Sequence, residues 1–191
     1  MLRGATYAEL CRNFKWKIPQ YYNIGVDVCD KWAGDPTRLA LIYVDPHERE
    51  QKHTFRNLKD ASNQLANGLK ANAIKRGDRV GILLSQRPET LISHIAVYKL
   101  GAIAVQLLIL FGPDAIEFRL KDSGTKALIT DKENLSKIFE IKERLPRLNL
   151  IIVVDAGQQE GVLDFWKCVA KGRRSFTPAE TKPNDPAVII Y

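Results

Sequence analysis

Four apolar runs begin near Val80, Ile103, Ala127 and Leu150, 23 or 24 residues apart, and that spacing leaves few folds open. The runs read RVGILL, AIAVQLL, KALIT and LIIVVD. They are nearly continuous in Val, Ile, Leu and Ala rather than alternating with polar residues, as strands covered on both faces are. Each interval holds a helix-period segment, RPETLISHIAVYKLG, GPDAIEFRLKDSG and DKENLSKIFEIKERL in turn. Parallel neighbours need a crossover of about this length, because a tight turn cannot join them. Pro88 suits a first helical turn and Gly101 a C-terminal stop. The expected fold is α/β: a doubly wound, mainly parallel sheet with flanking helices, preceded by short helices and a small strand pair.

The amino-terminal region supports the last part of that expectation. Thr6 and Glu9 have capping-box spacing, and Tyr7, Leu10, Cys11 and Phe14 follow at helical intervals. NIGVDVCDKWAG would place Ile24, Val28, Cys29 and Trp32 on one helix face and stop at Gly34. RLALIYVD reads as a strand, PHEREQKH as an exposed turn, and HTFRNL as a returning strand passing into a helix. That helix, within Asn57 to Ala73, stacks Leu58, Ala61, Leu65 and Leu69. After the fourth run, LDFWKCVAKG reads as a helix and RRSFTPAETKPNDP as an irregular connection to a fifth strand at Ala187. The expected organisation is a helical preamble over residues 1–38, an α/β subdomain over 39–175, and a linker and strand over 176–191.

Composition narrows the functional classes. A chain of 191 residues, 45% apolar, can bury one sizeable core. Its longest apolar stretch, GAIAVQLLILFG, falls short of the roughly 20 residues needed to cross a bilayer. The amino terminus has no secretory h-region, so a cytoplasmic location is expected. The three cysteines, Cys11, Cys29 and Cys168, form no CxxC pair and read as small core hydrophobes. His47, His53 and His94 have no ligand-like spacing, so no metal site is expected. The net charge of +7 comes from basic residues interleaved with acidic ones, which points to solvated helix faces rather than nucleic acid. The densest cluster, KGRR at Lys171 to Arg174, is a weak phosphate candidate.

No GxxxxGK[ST], GxGxxG or GxSxG motif occurs. In open α/β sheets the ligand lies beyond the carboxyl ends of the strands, so the loops after Leu84, Leu108, Thr130, Asp155 and Tyr191 are the informative ones. Thr54 to Asp131, with its KRGDRVGILL and YKLGAIAVQL segments, resembles the amino-terminal region of the AMP-forming acyl-CoA synthetases of the adenylate-forming superfamily. FGPDAIEFRLKDSGTKALIT favours the acetyl and medium-chain acyl-CoA branch, and NDPAVIIY resembles the strand entering that superfamily's phosphate-binding loop.

The resemblance implies a ligase that joins a carboxylic acid to ATP and passes the acyl group to coenzyme A, with Mg²⁺ and a Gly-rich loop neutralising the phosphates. It places the catalytic motifs after Tyr191, so no catalytic residue is assigned, the 191-residue chain alone is expected to be inactive and to bind no cofactor tightly, and self-association through uncovered apolar surfaces is expected. By the same resemblance Lys132 and Lys137 are candidates to lie near coenzyme A. Phe111 and Gly112 are candidates to line the acyl or pantetheine channel. His94 reads as a core or helix-surface residue. Two alternatives stand beside the ligase: a non-catalytic binding or regulatory module, and a flavodoxin-like nucleotide-binding domain, which the lack of a glycine cluster after the first strand weakens.

Overall fold

The computed structural model describes residues 6–157 and 159–191. In chain order the elements are α1 (Tyr7–Asn13), α2 (Ile24–Val28), β1 (Leu39–Val44), β2 (Glu50–Thr54), α3 (Phe55–Ala71), β3 (Arg79–Leu83), α4 (Pro88–Leu100), β4 (Ile103–Gln106) and α5 (Pro113–Asp122). They continue as β5 (Ala127–Asp131), α6 (Leu135–Ile141), β6 (Leu150–Val154), β7 (Leu163–Asp164), α7 (Phe165–Lys171) and β8 (Val188–Ile189). β1 and β2 form an antiparallel pair, and a six-stranded sheet follows the order β7-β6-β5-β3-β4-β8. Every pairing in that larger sheet is parallel. The expected fold class is the observed one.

Successive strand residues face opposite ways, and the sheet divides two cores between them. Val80, Ile82, Ala104, Ile129, Ile152 and Val154 join the core beneath α3, α4 and α7. Leu83, Val105, Leu128, Ile151 and Val153 join the core with Ile116 and Leu120 of α5 and Ile138 and Ile141 of α6. α4 starts at Pro88 and ends at Gly101, whose φ of 70° is the left-handed cap that glycine adopts without strain.

Several local expectations need correcting. The segment expected as one helix to Gly34 breaks at Cys29 (φ −130°, ψ −61°) into α2 and a 3-10 turn over Asp30–Trp32. Its buried face is Gly25, Cys29 and Ala33; Val28 and Trp32 are exposed. The reason is close approach: a Cβ on Gly25 would lie 2.8 Å from Lys99 Cγ and 2.9 Å from the Ile95 carbonyl, so α2 rests on α4 through its glycine. Trp32 instead lies under the Arg38 guanidinium, 4.2 Å from its ring centre, beside Phe55.

PHEREQKH is only partly a turn, because β2 already begins at Glu50. α3 starts at Phe55, ahead of the expected Asn57, because Thr54 and Asn57 cap each other: the Asn57 amide donates to Thr54 Oγ1 (3.2 Å) and the Thr54 amide to Asn57 Oδ1 (2.9 Å). In LDFWKCVAKG the first two residues pair with β6 as β7, and the helix begins at Phe165. Cys29 is buried and Cys168 half-buried, but Cys11 is exposed on α1, which buries none of its residues. Burial pushes the Cys29 thiol up to about 11, so it is an inert packing group.

The amino-terminal segment is pinned to the domain. Lys99 on α4 is fully buried, and its ammonium donates to Ser62 Oγ (2.9 Å), Asn63 Oδ1 (2.8 Å) and the Lys59 carbonyl (3.4 Å) while lying 2.6 Å from Asp30 Oδ1. Asp30, the nearest oxygen to that ammonium, supplies its counter-charge. Burial holds the Lys99 pKa below the usual lysine range, with Asp30 opposing the shift. Nearby, Asn23 Nδ2 donates to the carbonyls of Tyr98 and Ala179, and Tyr22 and Thr181 exchange two 2.7 Å hydrogen bonds.

Candidate functional site

β3 connects to β4 on one side, and the chain then crosses back past β3 to reach β5. The loops after β3 and β5 therefore diverge toward opposite faces, leaving a crevice outside the carboxyl ends of the two strands, where ligands of open α/β sheets bind. Thr130 Oγ1 donates to the Leu83 carbonyl (3.1 Å) and ties the two strand ends together.

On the β3 side the loop is fixed by charge. Arg87 Nε donates to Glu89 Oε2 (2.8 Å), and its Nη2 reaches Asp155 Oδ2 (3.3 Å) in the loop after β6. Trp166 Nε1 donates to Glu89 Oε1 (3.1 Å), so the buried carboxylate joins the loops after β3 and β6 to α7. Burial works against the Arg87 charge, but Glu89 and Asp155 outweigh it and raise its pKa. This network was not singled out from the sequence; Pro88 at the first helical position was its only signal.

On the β5 side, Asp131 Oδ1 accepts from the Asn134 amide (2.9 Å) and Asn134 Nδ2 (2.8 Å), and both residues are buried. Lys137 donates to Asn134 Oδ1 (3.0 Å) and to the Ile109 carbonyl (2.7 Å), stitching α6 to the loop after β4. Lys132 is exposed and makes no ion pair among the described residues.

The loop after β4 is the open wall. Leu108 and Leu110 are exposed, Leu110 at 89%, while Phe111 packs on the α5–α6 core beneath Arg119, whose guanidinium lies 4.1 Å from the ring centre. Arg119 also lies 5.5 Å from the Tyr191 ring centre. The Tyr191 hydroxyl donates to Asp122 Oδ2 (2.7 Å); burial and that carboxylate raise its pKa. Gly112 precedes α5, and a Cβ there would meet open space. Of the four candidate residues, Lys137 is joined to the loop that carries Phe111 and Gly112, whereas no hydrogen bond or ion pair links Lys132 to the other three.

His94 lies half-buried on α4, with Nδ1 3.2 Å from the Tyr98 hydroxyl, and burial lowers its pKa. Among the described residues no group of three or more His, Cys, Asp or Glu is placed to hold a metal ion. Nor is any helix long and apolar enough to cross a membrane.

The chain is similar to an acyl-coenzyme A synthetase, ACSM3, mitochondrial, of Rattus norvegicus, 26% identical over 98% of this chain and 33% of that protein. It is also similar to the acetyl-coenzyme A synthetase of Bacillus subtilis (strain 168), 31% identical over 81% of this chain and 29% of that protein. Among solved structures it matches Brucella canis acyl-CoA synthetase with a TM-score of 0.86, at 27% identity, over 95% of this chain and 35% of that one. The anthranilate CoA ligase AuaEII, solved in complex with anthranoyl-AMP, matches with a TM-score of 0.79 at 32% identity, over 90% of this chain and 32% of that one. The chain thus spans about a third of the length of the curated relatives it matches. The family model described as AMP-binding enzyme matches residues 29–191, and the chain belongs to the AMP-binding enzyme family.

Proposed function

We propose that this chain supplies the amino-terminal α/β unit of an ATP-dependent, AMP-forming carboxylic acid:CoA ligase. Such an enzyme couples the acid to ATP as an acyl-adenylate, releases pyrophosphate, and transfers the acyl group to the coenzyme A thiol. The observation that carries this reading is the family match over residues 29–191, seated on a sheet whose crevice lies between the β3 and β5 ends.

The described loops supply walls for that chemistry rather than its charge. Arg87 is neutralised by Glu89 and Asp155, and the Lys137 ammonium already binds two oxygens. Of the two lysine candidates Lys132 is the one open to a coenzyme A phosphate, and Phe111 and Gly112 flank the apolar route. ATP, Mg²⁺ and coenzyme A are therefore assigned to the longer protein, and the 191-residue chain is taken to be inactive by itself. The subdivision at residues 38 and 175 belongs to the same reading.

ATP–pyrophosphate exchange across a panel of carboxylic acids tests both parts. Acid-dependent exchange by the purified 191-residue chain overturns its inactivity. A form continuing past Tyr191 to its relatives' length that exchanges with no acid overturns the ligase reading.

A further inference from the structure

Lys137 closes a chain of hydrogen bonds that starts at the end of β5 and finishes in the loop after β4. Its inner members, Asp131 and Asn134, are both buried, and the Asp131 carboxyl accepts from the Asn134 backbone amide and from Nδ2. A carboxylate accepts and an ammonium donates, so one orientation of the Asn134 amide serves both neighbours: Nδ2 toward Asp131 and Oδ1 toward Lys137. The half-buried Lys137 is thereby aimed at the Ile109 carbonyl, 28 positions earlier in the chain.

The sheet order makes that bond a tie between loops. β3 lies between β5 and β4, so a bond from α6, which follows β5, to Ile109, which follows β4, reaches past the end of β3. The same loop is held at two further points, by the Leu107 amide on the Ile82 carbonyl (3.0 Å) and by the Phe111 ring beneath the Arg119 guanidinium. Those two holds come from β3 and α5, and that of Lys137 comes from the β5 side. Turning the Lys137 ammonium toward a phosphate would break both of its bonds and take a donor from the buried Asn134 oxygen, a cost that the exposed Lys132 does not meet.

We infer that Lys137 is a positioning residue, which sets the place of the loop carrying Phe111 and Gly112 and does not itself bind a coenzyme A phosphate. Its effect on substrates rests on the ligase reading; its effect on the loop does not. Hydrogen–deuterium exchange of the 191-residue chain tests the loop. Lys137→Met should speed exchange of the Leu107 and Phe111 amides about threefold or more, and Lys132→Met should leave them unchanged. Unchanged exchange in Lys137→Met, or equal speeding by Lys132→Met, overturns the positioning role. The substrate effect is read in a form continuing past Tyr191 to its relatives' length, with coenzyme A and with pantetheine, which lacks phosphate, as acyl acceptors. A phosphate contact counts only for the first acceptor, whereas a displaced wall affects both. Lys137→Met should lower kcat/KM about threefold or more for both, with their ratio held. A fall for coenzyme A alone, or for neither acceptor, overturns the inference. A longer wild-type form that acylates neither acceptor overturns the ligase reading instead, and exchange in the 191-residue chain still decides whether Lys137 anchors the loop.

Discussion

The two faces of the sheet are stabilised by different means. The α5–α6 face is closed by aliphatic side chains, among them Ile116, Leu120, Ile138 and Ile141, all at or near complete burial. The α3–α4–α7 face also has an aliphatic core, but it encloses charge: Lys99 among Asp30, Ser62 and Asn63, and Glu89 between Arg87 and Trp166. Apolar packing rewards any close fit, whereas a buried ion demands its particular partners. The first face should therefore lose stability in proportion to volume removed, and the second according to which partner is left behind.

The largest expected break is Asp30→Ala, which leaves the Lys99 ammonium buried without its counter-charge and should cost roughly 3–5 kcal/mol in urea unfolding. Lys99→Met/Asp30→Leu should recover most of that loss; a double variant as unstable as the single one would show that the site needs its charges. On the other face, Ile138→Ala should cost about 2–4 kcal/mol with no dependence on pH between neutral and mildly acidic conditions. Gly172→Ala tests the seam between α3 and α7, where a new Cβ would lie 2.2 Å from the Gln64 carbonyl oxygen; a loss of about 1–3 kcal/mol is expected as the helices part. Glu89→Gln keeps an acceptor for Trp166 but removes the charge facing Arg87, for about 1 kcal/mol measured by thermal unfolding.

The smallest effect is an acid dependence. The Lys182 amide first, and then Arg76, hold the Asp185 carboxyl below the usual carboxylate range. Its contribution is thus present above the unfolded-state value near 3.8 and is lost as pH falls through the lower folded value. Asp185→Asn should flatten that part of the stability curve below about pH 4, and an unchanged acid limb would remove Asp185 from the account.

The aliphatic architecture was legible in the sequence, because Val, Ile and Leu runs at fixed spacing report strands whatever packs on them. The charged interior was not. Lys99 and Glu89 sit in helical patterns where charge is read as solvated, and only the three-dimensional partners show them buried. The contact face of α2 was hidden for a related reason: periodicity ranks side chains, and the residue in closest contact, Gly25, has none. At the candidate site, Lys137 was picked out by the resemblance and Phe111 by its place after a strand, but the Lys137 bond to the Ile109 carbonyl joins residues 28 apart and shows only in the fold.

The paired hydrogen bonds between Tyr22 and Thr181 join residues 159 positions apart. A nascent chain presents its amino end first, so Tyr22 waits until Thr181 has left the ribosome before this partner exists. Closing so long a loop is entropically costly, and the sheet and the Lys99 cluster can bring the ends near beforehand. Docking of the segment around Tyr22 is therefore placed after the parallel sheet has formed, so the order of assembly runs opposite to the order of synthesis.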